Sequence, residues 1–355
     1  MTPGASPDRY ARQELLPWVG PEGQRRLGRS HALVVGCGAL GSTAAELLVR
    51  AGVGTLTLVD RDVVEWSNLQ RQSLYAERDA RERTPKAEAA RRRLREINAE
   101  VTVHACVEHL DAESAPSFLR GVDVIVDGLD NAGTRYLLND LSVKHGVPWI
   151  YAAAVGMEGR GLAVMPGGAC LRCVFPQPPG PGVLETCDTA GVFGPVVVMA
   201  GALAASQALK VAAGRADLVD RGLWALDLMS NRWQRISPPA PDPQCPCCGA
   251  HRFEWLDAAE ESLVTPLCGR SAVQVRPERR GDGGTELDLD ALAGRLAAHG
   301  SFERVEGRLQ GTLRSACNES GEPLFLTVFP DGRAIVGRCV DPLLARAVYD
   351  RFIGG

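Results

Sequence analysis

The sequence predicts an α/β fold: a doubly wound, mostly parallel sheet of the nucleotide-binding kind, with a small C-terminal α/β domain after it. Three observations predict this. A buried apolar strand, HALVV at 31–35, runs directly into a glycine loop, GCGALG at 36–41. Helical apolar spacing in TAAELLVRAGV and a second strand, TLTLVD, then complete a βαβ unit within about 30 residues. The alternation of strands and helices continues to PWIYAAAV, and the composition shifts only near residue 265.

The remaining elements can be taken in chain order. Ahead of the βαβ unit, residues 8–29 (DRYARQELLPWVGPEGQRRLGR) read as a short polar helix with a loop. Lys86 to Asn98 (KAEAARRRLREIN) is a charged, alanine-rich helix, VTVHACV a strand, VDVIVD at 122–127 another, TRYLLNDLSVKHG a helix and PWIYAAAV a strand. QPPGPGVLE at 177–185 holds too much Pro and Gly for regular structure and reads as a mobile crossover loop. The small apolar residues of 191–214 read as a helix buried against the sheet or between subunits, and PPAPDPQCPCCGAHRF at 238–253 as an extended exit segment. Beyond it, LDLDALAGRLAAHG is a helix, LFLTVFPDGRAIVG a β-hairpin over PDG, and DPLLARAVYDRFIGG an amphipathic helix that Gly354 and Gly355 cap. The domains are drawn at 1–260 and 265–355.

Composition narrows the function. The chain of 355 residues is 23% charged and 45% hydrophobic, with a formal net charge of −4, which argues against general affinity for nucleic acid or an anionic membrane. No uninterrupted apolar run reaches the roughly 18 residues of a membrane span. MTPGASPDRYARQELL lacks the apolar centre of a signal peptide, so a cytoplasmic location is expected. In that compartment the 11 cysteines, an odd number, point to metal ligation or thiol chemistry before disulfides.

Gly36, Gly38 and Gly41 stand between a strand and a helix in the pattern G-x-G-x-x-G, the mark of a Rossmann-like site. Such glycines permit a tight turn and let backbone N–H groups and a helix N-terminus face phosphate. Asp60 closes the next strand, where an acid takes ribose hydroxyls. These features alone do not separate NAD from ATP. The residues beyond Asp60 do: Asn68, Arg71 and Gln72, and finally Lys86, supply donors and cations that a departing pyrophosphate needs and a dinucleotide does not, while Asp62 either assists at the nucleotide or shapes the turn. Taken singly, Arg71 and Lys86 are ordinary surface charges. Asp130, in GLDNAGTR just past a strand, stands at the sheet edge where a carboxylate holds Mg²⁺ between phosphates. It or Asn131 would equally serve as an N-cap for the next helix.

Together RYARQ (9–13), GCGALG, DRDVVEWSNLQRQ (60–72), Lys86 and GLDN (128–131) resemble the adenylating enzymes of the ubiquitin-activating superfamily, nearest to the bacterial ThiF and MoeB group. The resemblance runs from residue 9 to about 250 and keeps the order of the motifs. It implies that ATP and Mg²⁺ bind, with Asp60 on the ribose, Asn68, Arg71 and Lys86 on phosphates and Asp130 on Mg²⁺. It implies that the C-terminal carboxylate of a ubiquitin-like sulfur carrier ending in Gly-Gly attacks the α-phosphate. It casts Arg12 as an arginine finger from a neighbouring subunit, hence a homodimer, and implies a sulfur donor such as a cysteine desulfurase. An oxidoreductase has no use for Arg71 and Lys86, and an inactive scaffold would lack one of these ATP residues.

Cys170-x-x-Cys173 and Cys245-x-x-Cys248 are two pairs of the kind that close a tetrahedral Zn²⁺ site, although the sequence between them is far longer than a zinc ribbon uses. The resemblance implies that they converge on one structural zinc, with Cys247 left spare. Cys187, in TCDTAGVFGP, stands at a helix start where a thiolate is favoured, and the resemblance makes it a nucleophile toward the carrier; the alternative is an inert surface thiol. Cys37, Cys106, Cys317 and Cys339 read as core residues, and Cys268 as a loop thiol. The tail shows no sulfurtransferase signature. LCGRSAVQV, TVFPDGRAIV and YDRFIGG resemble longer ThiF proteins, which favours a ThiS-type carrier of thiamin synthesis over the MoaD type of molybdopterin synthesis.

Overall fold

His31–Val35 (β1) and Thr55–Val59 (β2) lie parallel, joined by the helix Ala39–Ala51. Thr102–Cys106 (β3) extends the sheet beyond β2, while Val124–Asp127 (β4) and Trp149–Val155 (β5) extend it on the other side of β1, all still parallel. Three antiparallel strands complete it, Glu158–Val164 (β6), Leu223–Asp227 (β7) and Arg232–Ile236 (β8), giving the order β3-β2-β1-β4-β5-β6-β7-β8. The computed structural model describes residues 9–82, 84–108, 110–178, 190–237, 240–257, 264–266, 271–276, 287–305 and 307–354.

The central strands are apolar along their length because both faces are covered. Ala32 and Val34 join one core with Leu48, Val49 and Ala204, and Leu33 and Val35 join the other with Leu138, Leu141 and Trp149. The helix Gly194–Ala212 explains its own composition: it runs so close to Ala39–Ala51 that a Cβ on Gly201 would lie 2.9 Å from the Leu40 carbonyl oxygen. By length and apolarity this helix could cross a membrane, yet it packs on the sheet and is half buried there.

The chain falls into two compact units, the larger taking in most described residues up to Asp257 and the smaller built on those beyond it. In the smaller unit six antiparallel strands run in the order Gly300–Val305, Arg308–Cys317, Pro323–Val328, Ala334–Gly337, Ala272–Val275, Val264–Pro266. Burial alternates along the inner strands, and Leu309, Leu313, Leu326 and Val336 form a core with Leu292, Leu296, Tyr349 and Phe352 of the helices Leu289–Leu296 and Pro342–Phe352. Gly354, at φ +84°, turns back to hydrogen-bond the Tyr349 carbonyl at 3.0 Å, the expected glycine cap of the last helix.

The doubly wound sheet, the PDG hairpin and the final helix agree with the sequence reading. Three details differ, and one expectation is not tested. The N-terminal region holds two short helices, Ala11–Glu14 and Gly20–Leu27, broken at Pro17, rather than one. The strand–helix alternation stops at PWIYAAAV as read, but the sheet does not end there: it continues antiparallel through β6, β7 and β8. Cys317 is exposed, because it ends its strand past a register shift that takes it off the inward face. Most of the Pro/Gly-rich segment at 177–185 lies outside the described residues.

Candidate functional site

The glycine loop is built by three glycines stacked against one another. Gly36 has φ +87°, and a Cβ on it would sit 2.6 Å from the main chain of Gly128; a Cβ on Gly41 or Gly128 would lie 1.9 or 2.1 Å from the Gly36 carbonyl oxygen. No other residue type fits, so the loop after β1 and the loop after β4 touch backbone to backbone. Gly38 then opens the helix Ala39–Ala51 without any side-chain cap. The first-turn N–H groups have no partner inside the helix and face the loop, which is an anion site by construction.

Two side chains brace this loop. The Tyr75 hydroxyl donates to the Cys37 carbonyl at 2.6 Å. Gln72, 4% exposed, reaches with its amide nitrogen to 4.0 Å from where a Cβ of Gly38 would lie. Among the described residues nothing donates to Gln72 Oε1, although it is buried. A buried acceptor beside an uncapped helix start suits a polar ligand such as a nucleotide.

The charged groups converge on the same end of the sheet. Asp60 leaves β2 and accepts from Cys37 N at 2.6 Å and from Asp62 N at 2.7 Å. Burial pushes its carboxyl up to about 6, against the opposing pull of Lys86. Lys86, 8% exposed, donates from Nζ to Asp62 at 3.0 Å, and its backbone N–H bonds the Asp62 carbonyl. Burial works against its charge, but Asp60 and Asp62 outweigh burial and raise its pKa, with a smaller contribution from Asp130. Asp130 is exposed, three residues past the end of β4, and Asn131 sits between it and the helix Ala132–His145. A carboxylate at the carboxyl edge of the sheet, close enough for its charge to act on a lysine, would suit one position on Mg²⁺ among phosphates.

Three other residues singled out in the sequence have local surroundings of their own. Asn68 is buried and accepts from Glu65 N at 2.9 Å, shaping the turn Trp66–Asn68. Arg71 donates to the Ser67 carbonyl at 2.8 Å, on its own turn of chain. Arg12 is exposed, and its neighbour Gln13 bonds the Ala51 carbonyl at 3.0 Å. Ala51 ends the helix whose N-terminus is the glycine loop, so Arg12 lies about 20 Å from its own chain's loop. Tyr75, Asp127 and Arg135 escaped the sequence reading. Asp127 and Arg135 form a buried pair at 3.1 Å beside the Asp130 loop, and nothing in local spacing marks them.

The cysteine pairs do meet. The sulfurs of Cys170, Cys173, Cys245 and Cys248 all lie within 4.8 Å of one another, with Cys170 to Cys245 at 3.6 Å and Cys173 to Cys248 at 3.3 Å. A tetrahedral thiolate site with Zn–S near 2.3 Å puts its sulfurs about 3.8 Å apart, so this quartet has metal-site dimensions. Cys247 stands outside it, fully buried, its sulfur accepting from Asn139 Nδ2 at 3.2 Å while Asn139 Oδ1 receives Leu171 N at 2.8 Å. That contact ties the second cysteine pair to the first. Hydrogen bonding to Cys247, and then to Cys245, holds the Cys170 thiol down at about 4 against the effect of burial. Cys187 and Cys268 lie outside the described residues.

Comparison with known proteins agrees with this geometry. Residues 10–247 match the ThiF family. The chain is 39% identical over 348 residues to the sulfur carrier protein ThiS adenylyltransferase of Bacillus subtilis, covering 98% of this chain and 99% of that protein. It is 42% identical over 249 residues to the sulfur carrier protein adenylyltransferase of Thermus thermophilus, covering 68% and 90%. The fold is similar to that of the crystal structure of E. coli MccB, with a TM-score of 0.58 at 22% identity over 69% of this chain and 73% of that one.

Proposed function

The chain belongs to the ThiF family, and from that premise we propose that it adenylates the C-terminal Gly-Gly carboxylate of a ubiquitin-like sulfur carrier protein with ATP. The observation that carries this reading is the convergence of the glycine loop, Asp60, Asp62, Lys86 and Asp130 on one end of the sheet. The glycine loop and the helix start at Ala39 cradle phosphate, and Asp60 holds the ribose. Lys86, kept charged by Asp60 and Asp62, draws electron density from the phosphates. Asp130 would hold Mg²⁺, which would supply further neutralisation of the pyrophosphate.

The carrier's carboxylate is already a nucleophile and needs no general base, so catalysis is positioning and charge neutralisation. One carboxylate oxygen forms the new P–O bond at the α-phosphorus. The bond to the bridging oxygen breaks, pyrophosphate takes the electron pair, and the acyl-adenylate remains, ready for a sulfur donor. Asn68, Arg71, Gln72 and Asn131 line the nucleotide in this reading. Cys187 is the thiol that would capture the activated carrier.

Full-length correspondence to the Bacillus protein, tail included, favours a ThiS-type carrier over a MoaD type. The adenylating domain is placed at 1–260 and the appendage at 265–355. The four cysteines hold one structural Zn²⁺. The chain acts as a homodimer, each Arg12 completing the partner's site, which suits its distance from its own. Exposed Leu15, Leu16, Val198 and Met199, on the N-terminal segment and the helix Gly194–Ala212, are the apolar side chains such a contact would cover.

Pyrophosphate exchange tests the reading. With ATP, Mg²⁺ and a ThiS-type carrier, labelled pyrophosphate should enter ATP, and only when the carrier is present. Asp130→Ala should lower the rate by about 100-fold or more. Absence of exchange with ThiS-type and MoaD-type carriers alike would sink the proposal.

A further inference from the structure

Asp127 is wholly buried at the end of β4, and Arg135, 14% exposed, folds back from the helix Ala132–His145 to meet it. Such a pair is costly to bury, and an apolar pair of similar volume would serve stability as well. Its use must therefore be sought in where its hydrogen bonds go.

Apart from one bond to β5, they go to one residue, Leu129. Asp127 Oδ2 takes Arg135 Nε at 3.1 Å, and Asp127 Oδ1 takes the backbone N–H of Leu129 at 2.8 Å. Arg135 Nη2 donates to the carbonyl of that same Leu129 at 2.5 Å and to the Ala152 carbonyl of β5 at 3.1 Å. The guanidinium carbon lies 5.3 Å from the Tyr151 ring centre, which holds its plane. Leu129 is thus gripped at both its N–H and its C=O, and the gripped carbonyl belongs to the peptide that carries Asp130. One residue earlier, Gly128 N bonds Val35 O at 2.8 Å and stacks on Gly36. The clamp therefore sets the Asp130 loop against both the glycine loop and the neighbouring strand.

We propose that Arg135 is a positioning residue that fixes Asp130 for the divalent cation of the nucleotide by clamping the Leu129 main chain between Asp127 and β5. This rests on the reading of Asp130 as the cation's carboxylate. Only a planar fork with several donors addresses a carboxylate and two carbonyls at once; a lysine keeps the charge and loses the fork. Partners one step removed from a metal ligand cost about 10–100-fold in metal affinity when lost, which sets the expected effect.

The test uses the full chain with a non-hydrolysable ATP analogue and Mn²⁺ in place of Mg²⁺, reading bound metal by electron paramagnetic resonance. Nucleotide binding in chelator is measured alongside. Arg135→Lys should weaken Mn²⁺ binding in the nucleotide complex about 10–100-fold and leave metal-free nucleotide binding unchanged. The double variant Asp127→Asn/Arg135→Met, which leaves no buried charge unpaired, should do the same if the single variant folds poorly. Unchanged Mn²⁺ affinity in these variants, or equal loss with and without metal, overturns the proposal. Asp130→Ala separates the two levels. If it binds Mn²⁺ like the wild type, the reading of Asp130 fails and this inference with it. If it loses affinity while the Arg135 variants keep theirs, only the inference about Arg135 fails.

Discussion

Asp60 shows how one residue's surroundings become a measurable property. Its carboxylate oxygens already hold the N–H groups of Cys37 and Asp62, and enclosure raises its carboxyl to about 6. A carboxylate accepts hydrogen bonds from ribose hydroxyls most strongly when ionised; protonation turns one oxygen into a donor and removes the charge assistance. Because the folded value lies above the ordinary 3.8, binding should be intact above pH 7 and fall as pH drops through about 6. Adenosine, which has no titrating phosphate, is the suitable probe by calorimetry, and Asp60→Asn should bind more weakly and lose the step. A step near pH 4 would contradict the environment described. Residues of this kind were legible in the sequence because their partners are close in the chain: the loop glycines, Asp60 and Asp62 fall within 26 positions. Arg135 was not, because its meaning depends on Ala152 across a strand boundary. Tyr75 likewise reads as a core aromatic until its hydroxyl is seen on the Cys37 carbonyl.

At the scale of elements, the strands that the sequence shows best are those buried on both faces. HALVV, TLTLV and VIVD are short stretches dominated by β-branched and aliphatic residues and could be read directly. Arg232–Ile236 is exposed at every position, so it carries no alternation and leaves no signal. Glu158–Val164 hides behind two glycines, one of which lies against Trp224. The cysteine pairs are intermediate: each knuckle was visible, but their meeting depends on the helix Ala132–His145, whose Asn139 bridges Leu171 and Cys247. Metal analysis should find one zinc per chain. Cys173→Ser should lose it and lower the melting temperature by several degrees, since a closed thiolate site contributes folding energy directly. A metal-free protein with the wild-type melting temperature would show the quartet to be plain thiols.

For the whole molecule, the fold brings two loops from different strands into backbone contact, with Asp60, Asp62 and Asp130 at the same end of the sheet. Gly36 against Gly128 is the junction, and Asp130, two residues past Gly128, is close enough for its charge to act on Lys86. The glycine pattern forecast a nucleotide; the acids and the lysine around it turned the expectation from a dinucleotide toward a triphosphate. The smaller unit was legible in its hairpin and last helix but not in its long strands, where Gly300 and Gly311 break the apolar pattern. The most direct measurement of the central claim is intact-mass spectrometry of the carrier after incubation with this protein, ATP and Mg²⁺, quenched in acid. The account predicts a carrier heavier by one adenylyl group, and no such species when the carrier's terminal glycine is removed. An unmodified carrier, or an adenylyl group that survives loss of that glycine, would contradict it.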